Sequence, residues 1–363
     1  MSSTAVSKTL RGYRLLTGDS SLQVLDPVLH PGWDQLLAST PGAIFFHHSS
    51  WAKVLKHTYG YTPLYLARIE RGRFAFLVPL MEVKSLLTGR RGVSLPFTDF
   101  CPFLPGGGES FLEVARLLTG YGKELRWRYL ELRDGPEPEA GSPPSSTFWT
   151  HTLDLSGRAD TTYARFRSST RRNIQKAIRE GVEVARTDAP EGVRAFYDLN
   201  CRTRKRHGLP PQPYRFFRNV YQEIIRQGLG AIFLARHSGR IVSGAVFFHL
   251  GGKAIYKYGA SDYRYQDLRP NNLVMWEAIR WYCERHFEEL NFGRTEPDNE
   301  GLCRFKEGWG AEQAPLRYYK YDFAKARFVG PAPSPARWQN RIFGRMPQPL
   351  LNLTGAILYR HVG

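Results

Sequence analysis

Residues 256–310 decide the fold class, and they read YKYGASDYRYQDLRPNNLVMWEAIRWYCERHFEELNFGRTEPDNEGLCRFKEGWG. The stretch predicts a strand, a loop, an amphipathic helix, a second strand and a basic loop, in that order. The helix is indicated by apolar residues at spacings of three and four, namely Leu273, Trp276, Ile279, Cys283 and Phe287. A strand, a helix and a strand in succession are typical of an α/β unit.

The rest of the chain repeats this alternation, and residues 161–180 predict one strongly basic helix that ends at Gly181. A strand pair is predicted around the turn at residues 70–73, and a hairpin about Ser238-Gly239. Residues 134–148, which are rich in proline, glycine and serine, indicate a domain boundary. We therefore predict two tandem α/β domains with mixed sheets, at residues 1–148 and 149–328. A basic tail at 329–363 follows, and we expect it to pack on the first domain or to contact an anionic membrane surface.

The composition is that of a folded, strongly basic protein. Hydrophobic residues make up 42% and aromatic residues 13% of the 363 positions, which excludes a disordered chain. The net charge of +18 favours polyanionic partners such as nucleic acid, anionic lipid or phosphate-rich substrates. A basic surface without such a partner is the alternative.

The sequence gives no sign of a metal site, a disulfide framework or a targeting segment. The four cysteines lie far apart and form no C-x-x-C pair, so no metal is expected. The first sixteen residues lack the apolar core of a signal peptide, and no apolar run is long enough to span a membrane. We expect a cytoplasmic protein. A location at the inner face of the membrane is the alternative.

Several motifs together resemble the Fem-type aminoacyltransferases. The resemblance runs from WAKVLKHTYG and SLPFTDF, through RFRSSTRRNIQKAIREGVEV and FYDLNCRTRKRHGLP, to KYGASD, LRPNNLVMWEAI, LNFGRT and RFKEGWG. It implies two tandem GNAT-like acyltransferase domains. It also implies transfer of an amino acid from aminoacyl-tRNA to the peptide of a cell-wall precursor. A long charged heptad segment, which forms a helical arm in some members, is absent from this sequence.

The Phe305-Lys306 pair is the first candidate site. The resemblance implies that this pair lies at the donor end of the site, next to Arg304. An amine that attacks an ester creates an oxyanion, and a fixed cation such as Lys306 stabilises that charge. The alternative is a solvated surface lysine that follows a core phenylalanine.

The loop before the predicted helix bears on the donor. Coenzyme A binding in this fold uses a glycine-rich turn, whose amides meet the pyrophosphate at a helix N-terminus. Residues 264–274 contain no glycine, and Pro270 lacks an amide proton. Acyl-CoA is therefore the less favoured donor. Asn271 and Asn272 are candidate substrate contacts, and the alternative is that one of them caps the helix.

A basic segment and three further positions complete the candidate site. Residues 164–218 carry 14 Lys and Arg against 5 Asp and Glu, which suits phosphate binding, although a solvated basic face is the alternative. Its candidate contacts are Arg171, Arg172, Asn173 and Arg206. Asp99 follows a predicted strand and could take a proton from the attacking amine, or simply form an Asx turn. Lys257 and Tyr258 end a strand where they could line the cleft.

The sequence thus predicts an acyltransferase that acts on an amine of a cell-envelope precursor. Lys306 and Asp99 are the catalytic candidates, no cofactor is expected, and aminoacyl-tRNA is the favoured donor substrate. An acyl-CoA-dependent N-acetyltransferase is the alternative enzyme. A non-catalytic basic module that binds nucleic acid or lipid is the alternative outside catalysis.

Overall fold

The structure, a computed structural model, describes residues 22–104, 111–135, 137–332 and 338–362; the side chain of Trp338 and the N-terminal residues considered above lie outside the described part. The strands are β1 Gln23–Leu25, β2 Thr62–Pro63, β3 Tyr65–Glu70, β4 Arg73–Val78, β5 Met81–Ser85, β6 Gly89–Val93, β7 Tyr129–Arg133, β8 Ser146–Asp154, β9 Glu183–Thr187, β10 Gly230–His237, β11 Arg240–Leu250, β12 Lys253–Ser261, β13 Glu289–Thr295, β14 Glu312–Asp322 and β15 Arg327–Val329. The helices are α1 Trp33–Ala38, α2 Ser49–Tyr59, α3 Phe111–Glu124, α4 Ala159–Ala164, α5 Ser168–Arg179, α6 Pro190–Arg206, α7 Tyr214–Val220, α8 Pro270–Cys283, α9 Glu300–Glu307, α10 Trp338–Arg345 and α11 Gln348–Leu358.

The chain divides into two compact units. The first unit contains the described residues up to Ser146, the segment Arg317–Ala332 and the described residues after Arg360. The second contains Thr147–Leu316 and the described residues of the segment Pro333–Arg360. Strand β14 contributes to both units, because the division falls between Leu316 and Arg317.

The first unit is built from two sheets and helix α3. Strand β3 pairs with β1 and β4 in an antiparallel sheet. Strands β2, β5, β6 and β7 follow one another in the second sheet, where β6 and β7 run parallel, and the C-terminal half of β14 pairs with β7. The buried carboxylate of Glu82 accepts a hydrogen bond from the Trp127 indole and pairs with Arg90 at 2.6 Å. Apolar packing holds the sheet against α3, while Glu82 joins β5 to β6 and to Trp127 just after α3.

The second unit is a six-stranded mixed sheet covered by helices on both faces. Its strand order is β8-β13-β12-β11-β10-β9, and β12 and β13 form its parallel pair. Because side chains alternate along a strand, Phe233 of β10 joins the core shared with α8. Its neighbour Leu234 lies on the other face, where a side chain on Gly244 would meet both Leu234 and Phe196 of α6. Helices α5 and α8 therefore cover one face, and α6 covers the other.

The fold class predicted from the sequence is confirmed, since the structure is a mixed α/β fold. The hairpin about Ser238-Gly239 is present as β10 and β11, and both turn residues have positive φ, at 49° and 75°. The strand pair around residues 70–73 is present as β3 and β4.

Two local predictions need correction. The RFKEGWG segment is not a loop, because its first four residues belong to α9, which begins where the Asn299 side chain accepts a hydrogen bond from the Leu302 amide at 3.2 Å. The continuous helix expected over residues 161–180 is two helices, α4 and α5. The break falls at Arg165–Arg167, where the Arg167 amide donates to the Gly308 carbonyl instead of to its own helix.

The C-terminal tail does not follow the expected packing on the first domain. Helices α10 and α11 belong to the second unit and contact α6. Close backbone approach explains the contact, since a side chain on Gly355 would lie 2.0 Å from the Pro211 carbonyl oxygen. His361, which follows these helices, belongs to the first unit and interacts there with Ser85. No helix in the described part of the chain is both long and apolar enough to cross a membrane.

Candidate functional site

The centre of the second unit is a wedge between two strands. Strands β12 and β13 pair in parallel only from Lys253 with Glu289 to Ile255 with Asn291. Beyond this point β12 continues in pairing with β11, and β13 continues in pairing with β8. The two strands therefore separate toward their carboxyl ends, which is where open α/β sheets bind ligands. We call this opening the β12–β13 wedge; the rings of Tyr256 and Phe292 lie 6.4 Å apart at its base.

A bulge in β13 shapes one side of the wedge. Asn291 is opposite Thr152 and Arg294 is opposite Thr150, so two residues of β13 face the single residue His151 of β8. Gly293 lies in this bulge with a φ of 68°, a conformation that favours glycine. Its amide donates to the Asn291 side-chain oxygen at 2.7 Å. The bulge redirects the backbone carbonyls that follow it.

Lys306 of α9 is bound to this bulge. Its ammonium donates hydrogen bonds to the carbonyl oxygens of Gly293 at 2.8 Å and of Arg294 at 3.2 Å. The residue is only 1% exposed, so the alternative of a solvated surface lysine is wrong. Helix α9 therefore places a buried, rigidly held side chain next to the wedge. Electrostatic stabilisation is strongest from such a preorganised charge in a site that excludes water.

His151 is a site residue that the sequence analysis did not identify. It is fully buried opposite the bulge, and neither ring nitrogen has a hydrogen-bond partner among the described residues, although the Gln313 side chain lies near enough to influence it. Burial lowers the pKa of His151, and the positive charge of Lys306 lowers it further. The sequence gives no local signal that His151 belongs to the site, because its neighbour Lys306 lies 155 positions away along the chain.

Two further buried polar groups in this part of the second unit lack a partner among the described residues. They are the Thr295 hydroxyl at the end of β13 and the Trp309 indole nitrogen just after α9. Buried polar groups are normally hydrogen-bonded, so an ordered water or a ligand would satisfy these groups. The Trp309 ring packs against Phe305 and Phe166 at centroid distances of 5.8 and 5.0 Å.

The neighbours of Lys306 in the RFKEGWG motif point elsewhere. Phe305 is partly buried and packs on the core of the second unit. Arg304 is exposed and pairs with Glu300 one turn earlier at 2.6 Å. Of the three predicted contacts in this motif, the structure therefore brings only Lys306 to the bulge.

Lys257 and Tyr258 lie on the other side of the wedge. The pairing of β12 with β11 shifts between Val246 and Phe247, so Lys257 is the bulged residue of β12. Its ammonium lies 5.4 Å from the centroid of the Tyr258 ring. The Tyr258 ring packs against aromatic residues of the α6 side, including Phe217 at 5.6 Å. Lys257 is thus the better placed of the two for ligand contact.

The N-terminus of α8 excludes the alternative that Asn271 or Asn272 is the helix N-cap. The residue that caps the helix is Arg269, with a φ of 58°, so neither Asn271 nor Asn272 is the N-cap. The Asn271 side-chain oxygen accepts from the Ser243 hydroxyl at 2.5 Å and its amide approaches the Ser261 hydroxyl at 3.5 Å, while Asn272 is buried. Asn271 therefore ties the start of α8 to β11 and β12.

The predicted phosphate contacts lie on two separate helices. Arg171, Arg172 and Asn173 are on α5, with Arg172 exposed and the other two partly exposed. Arg206 is exposed at the end of α6, and its guanidinium lies 4.9 Å from the centroid of the Tyr263 ring. Since α5 and α6 cover opposite faces of the sheet, the four residues do not form a single cluster.

A separate basic cavity of about 430 Å³ lies beside α6. Its lining includes Arg202, Arg240 and Arg264, together with the carboxylates of Asp198 and Asp262. Asp262 pairs with Arg264 at 2.6 Å and with Arg202 at 3.4 Å. Hydrogen bonds from Arg264 lower the pKa of Asp262, so the carboxylate stays charged and balances part of the cavity's positive charge. The sequence analysis did not single out this group.

Asp99 belongs to the first unit, in a loop with unusual backbone geometry. Leu95 and Phe97 both have positive φ, at 56° and 61°, and non-glycine residues in this conformation cluster at functional sites. The Asp99 carbonyl accepts a hydrogen bond from the Tyr318 hydroxyl. The Arg133 guanidinium donates to the Leu95 carbonyl at 3.1 Å. The loop that carries Asp99 is therefore strained and firmly held.

Comparison with known proteins agrees with this architecture. Residues 164–307, all in the second unit, match the family model described as an acetyltransferase (GNAT) domain. The chain is 37% identical over 84 residues to a lipid II:glycine glycyltransferase of Staphylococcus haemolyticus, which covers 21% of the chain and 20% of that protein. It is 22% identical over 212 residues to the enzyme of the same name from Staphylococcus epidermidis. This match covers 40% of the chain and 51% of that enzyme. The chain thus spans about half or less of these relatives.

Solved structures show the same fold over a longer range. The structure of FemX aligns with a TM-score of 0.61 at 17% identity, over 78% of the chain and 94% of FemX. The chain has a GNAT-like fold and is similar to Fem-type proteins. A tandem GNAT protein from the clavulanic acid biosynthesis pathway also aligns with the chain, with a TM-score of 0.52 at 12% identity, over 86% of the chain and 99% of that protein. The resemblance inferred from the motifs is therefore confirmed.

Proposed function

We propose that this Fem-like protein is an acyltransferase that moves an aminoacyl group onto an amine of a cell-envelope precursor. The observation that carries the proposal is the buried ammonium of Lys306, fixed by the β13 bulge beside the β12–β13 wedge. Aminoacyl transfer creates one negative charge on the ester carbonyl oxygen, and a preorganised cation in a dry site is the group that stabilises it. The names of the staphylococcal relatives support the substrate class.

The chemistry assigns a step to each candidate group. The acceptor amine attacks the ester carbonyl carbon, and the carbonyl oxygen gains the charge that Lys306 stabilises. The carbon–oxygen bond to the donor's ribose then breaks and an amide remains. The attacking nitrogen loses a proton, which Asp99 accepts and which finally reaches the ribose oxygen.

Aminoacyl-tRNA is the donor that the sequence and the local structure favour. The turn before α8 contains no glycine, and Pro270 and the left-handed Arg269 occupy the place of a phosphate-binding turn. The net charge of +18, the basic residues of α5 and α6, and the arginines of the 430 Å³ cavity suit the phosphates of an RNA end. We place the protein in the cytoplasm, where charged tRNA is made.

An acyl-CoA donor is the second candidate. The match of residues 164–307 to the acetyltransferase (GNAT) model favours it, as does the splayed β12–β13 pair that could admit an extended thioester arm. In that case a thiolate would leave in place of a ribose oxygen, and the same Lys306 would stabilise the oxyanion.

A donor screen tests the proposal. The full chain is incubated with an amine acceptor of the peptidoglycan-stem type and with either a mixture of charged tRNAs or acetyl-CoA, and the acceptor is analysed by mass spectrometry. We expect an aminoacyl mass increment with charged tRNA and none with acetyl-CoA. An acetyl increment, or micromolar binding of acetyl-CoA, would replace the first candidate by the second. A strongly salt-dependent association with RNA without any acyl product would indicate a non-catalytic binding module.

A further inference from the structure

The last helix of the second unit has two apolar faces. One face of α11 packs on the protein through Leu351, which is fully buried, and through the close contact of Gly355 with the Pro211 carbonyl. Just after the helix, the Tyr359 hydroxyl accepts from Arg204 at 2.7 Å and approaches the Pro210 carbonyl at 3.2 Å. The helix is therefore firmly seated and its orientation is fixed.

The opposite face of α11 carries three large aliphatic side chains. Leu350, Leu353 and Ile357 follow one another at spacings of three and four, which places them on one side of a helix. They are 54%, 58% and 55% exposed. Ile342 on the preceding helix α10 is 51% exposed as well. A surface helix normally presents polar residues to solvent, so an apolar outer face marks an interaction surface.

The charged side chains of the segment that carries this stripe are all of one sign. Arg341 and Arg345 on α10 and Arg360 just after α11 are exposed. Residues 338–362 contain no Asp or Glu at all. An exposed aliphatic stripe flanked by arginines and free of acids is the pattern of a helix that lies in the headgroup region of an anionic membrane.

We propose that α10 and α11 form a docking surface for an anionic lipid bilayer. Leu350, Leu353 and Ile357 enter the boundary between headgroups and acyl chains, and the three arginines bind lipid phosphates at the same depth. The occupant is a membrane rather than a protein because Arg341, Arg345 and Arg360 are positive and residues 338–362 contain no acidic side chain. Two-signal anchoring of this kind, apolar plus basic, gives stable but reversible attachment. The proposal does not rest on the transfer chemistry.

Vesicle sedimentation with the full chain tests the surface. Vesicles of phosphatidylglycerol mixed with phosphatidylcholine are compared with pure phosphatidylcholine, each at low and high salt. We expect binding only to the mixed vesicles, weakened at 0.5 M NaCl. Binding to neither, or equal binding to both, overturns the proposal.

Two variants separate the apolar and the basic contributions. Replacing Leu350, Leu353 and Ile357 together by Ser should reduce partitioning at least about tenfold, because the buried apolar area is lost. Replacing Arg341, Arg345 and Arg360 by Gln should reduce it about 10²-fold, since each basic residue contributes roughly a factor of five near an anionic surface. A triple serine variant that binds like the wild type overturns the assignment to α11.

A matched control removes an exposed aliphatic residue elsewhere in the same unit. Ile178 on α5 is 48% exposed and lies in the helix layer on the opposite face of the sheet from α6. Ile178→Ser should bind vesicles like the wild type, and thermal unfolding of all variants shows that they are folded. Self-association in analytical ultracentrifugation that the triple serine variant abolishes would assign the face to a second copy of the chain and overturn the membrane proposal.

Discussion

The ammonium of Lys306 donates a 2.8 Å hydrogen bond to the carbonyl oxygen of Gly293, a glycine held at a φ of 68°. The bond joins a helix to a β-bulge across thirteen residues of sequence. It gives the lysine a structural partner in addition to its proposed role toward the developing oxyanion. The first two predictions separate these two roles.

Replacing Lys306 by Met should reduce turnover about 10²-fold, because the oxyanion loses its cation. The carbonyls of Gly293 and Arg294 also lose a donor, so the free energy of unfolding should fall by about 1–3 kcal/mol. Single-turnover rates with the active donor and urea unfolding measure the two effects. Lys325→Met, at an exposed lysine, is the matched control and should change neither. A less stable variant with the wild-type rate would show that Lys306 is structural only.

Gly293→Ala should destabilise the second unit by about 1–2 kcal/mol, since an alanine in a left-handed conformation is strained. The strain should also move the carbonyl that Lys306 binds. Combined with Lys306→Met, its effect on stability should be clearly less than additive, because both substitutions act on one hydrogen bond. A double-mutant cycle by urea unfolding provides the coupling energy. Strict additivity would mean that the bulge geometry and Lys306 are energetically independent.

Asp99→Asn should lower turnover by about 10²–10⁴-fold, as expected on removal of a group that accepts a proton. The free energy of unfolding is measured alongside, and the hydrogen bond from the Tyr318 hydroxyl to the main-chain carbonyl of residue 99 remains in this variant. Tyr318→Phe is the paired variant, since it removes that hydrogen bond and keeps the carboxylate. If Asp99→Asn keeps the wild-type turnover, Asp99 has only a structural role in its loop.

The protein should lose stability on mild acidification. Complete burial lowers the pKa of His47 to about 4, and burial also lowers the pKa of His48, His151, His207 and His249. The unfolded chain binds these protons near pH 6.5 while the folded protein does not, so stability is fully present above pH 6.5 and falls as the pH approaches 4. His47 alone accounts for up to about 3 kcal/mol over that window.

Urea unfolding at a series of pH values between 7 and 4 measures this loss. The slope of stability against pH should become shallower in His47→Gln, whatever the absolute stability of that variant. Exposed His57→Gln is the control substitution in the same unit. A wild-type slope in His47→Gln would mean that other groups carry the acid sensitivity.

Local patterns predicted the elements that depend on neighbours in the sequence. The hairpin about Ser238-Gly239 needs only two turn residues that accept positive φ between apolar strands, and both conditions are visible in the chain. The apolar spacing that begins at Leu273 likewise predicted α8. The same reasoning placed RFKEGWG in a loop, because the cap at Asn299 is a single short-range signal that the glycines outweighed.

The sequence by itself determined the mixed α/β class and the order of most elements, because hydrophobic periodicity and turn chemistry are local properties. It also singled out Lys306 as a candidate, and the catalytic role of this residue stays a prediction. The tertiary structure alone decided what those residues contact. It buried Lys306 against the β13 bulge, placed His151 opposite that bulge, assigned Asn271 to Ser243 instead of a helix cap, and turned the tail onto α6. Each of these contacts joins residues that are distant along the chain or depends on a strand register, and only the packed fold sets such pairings.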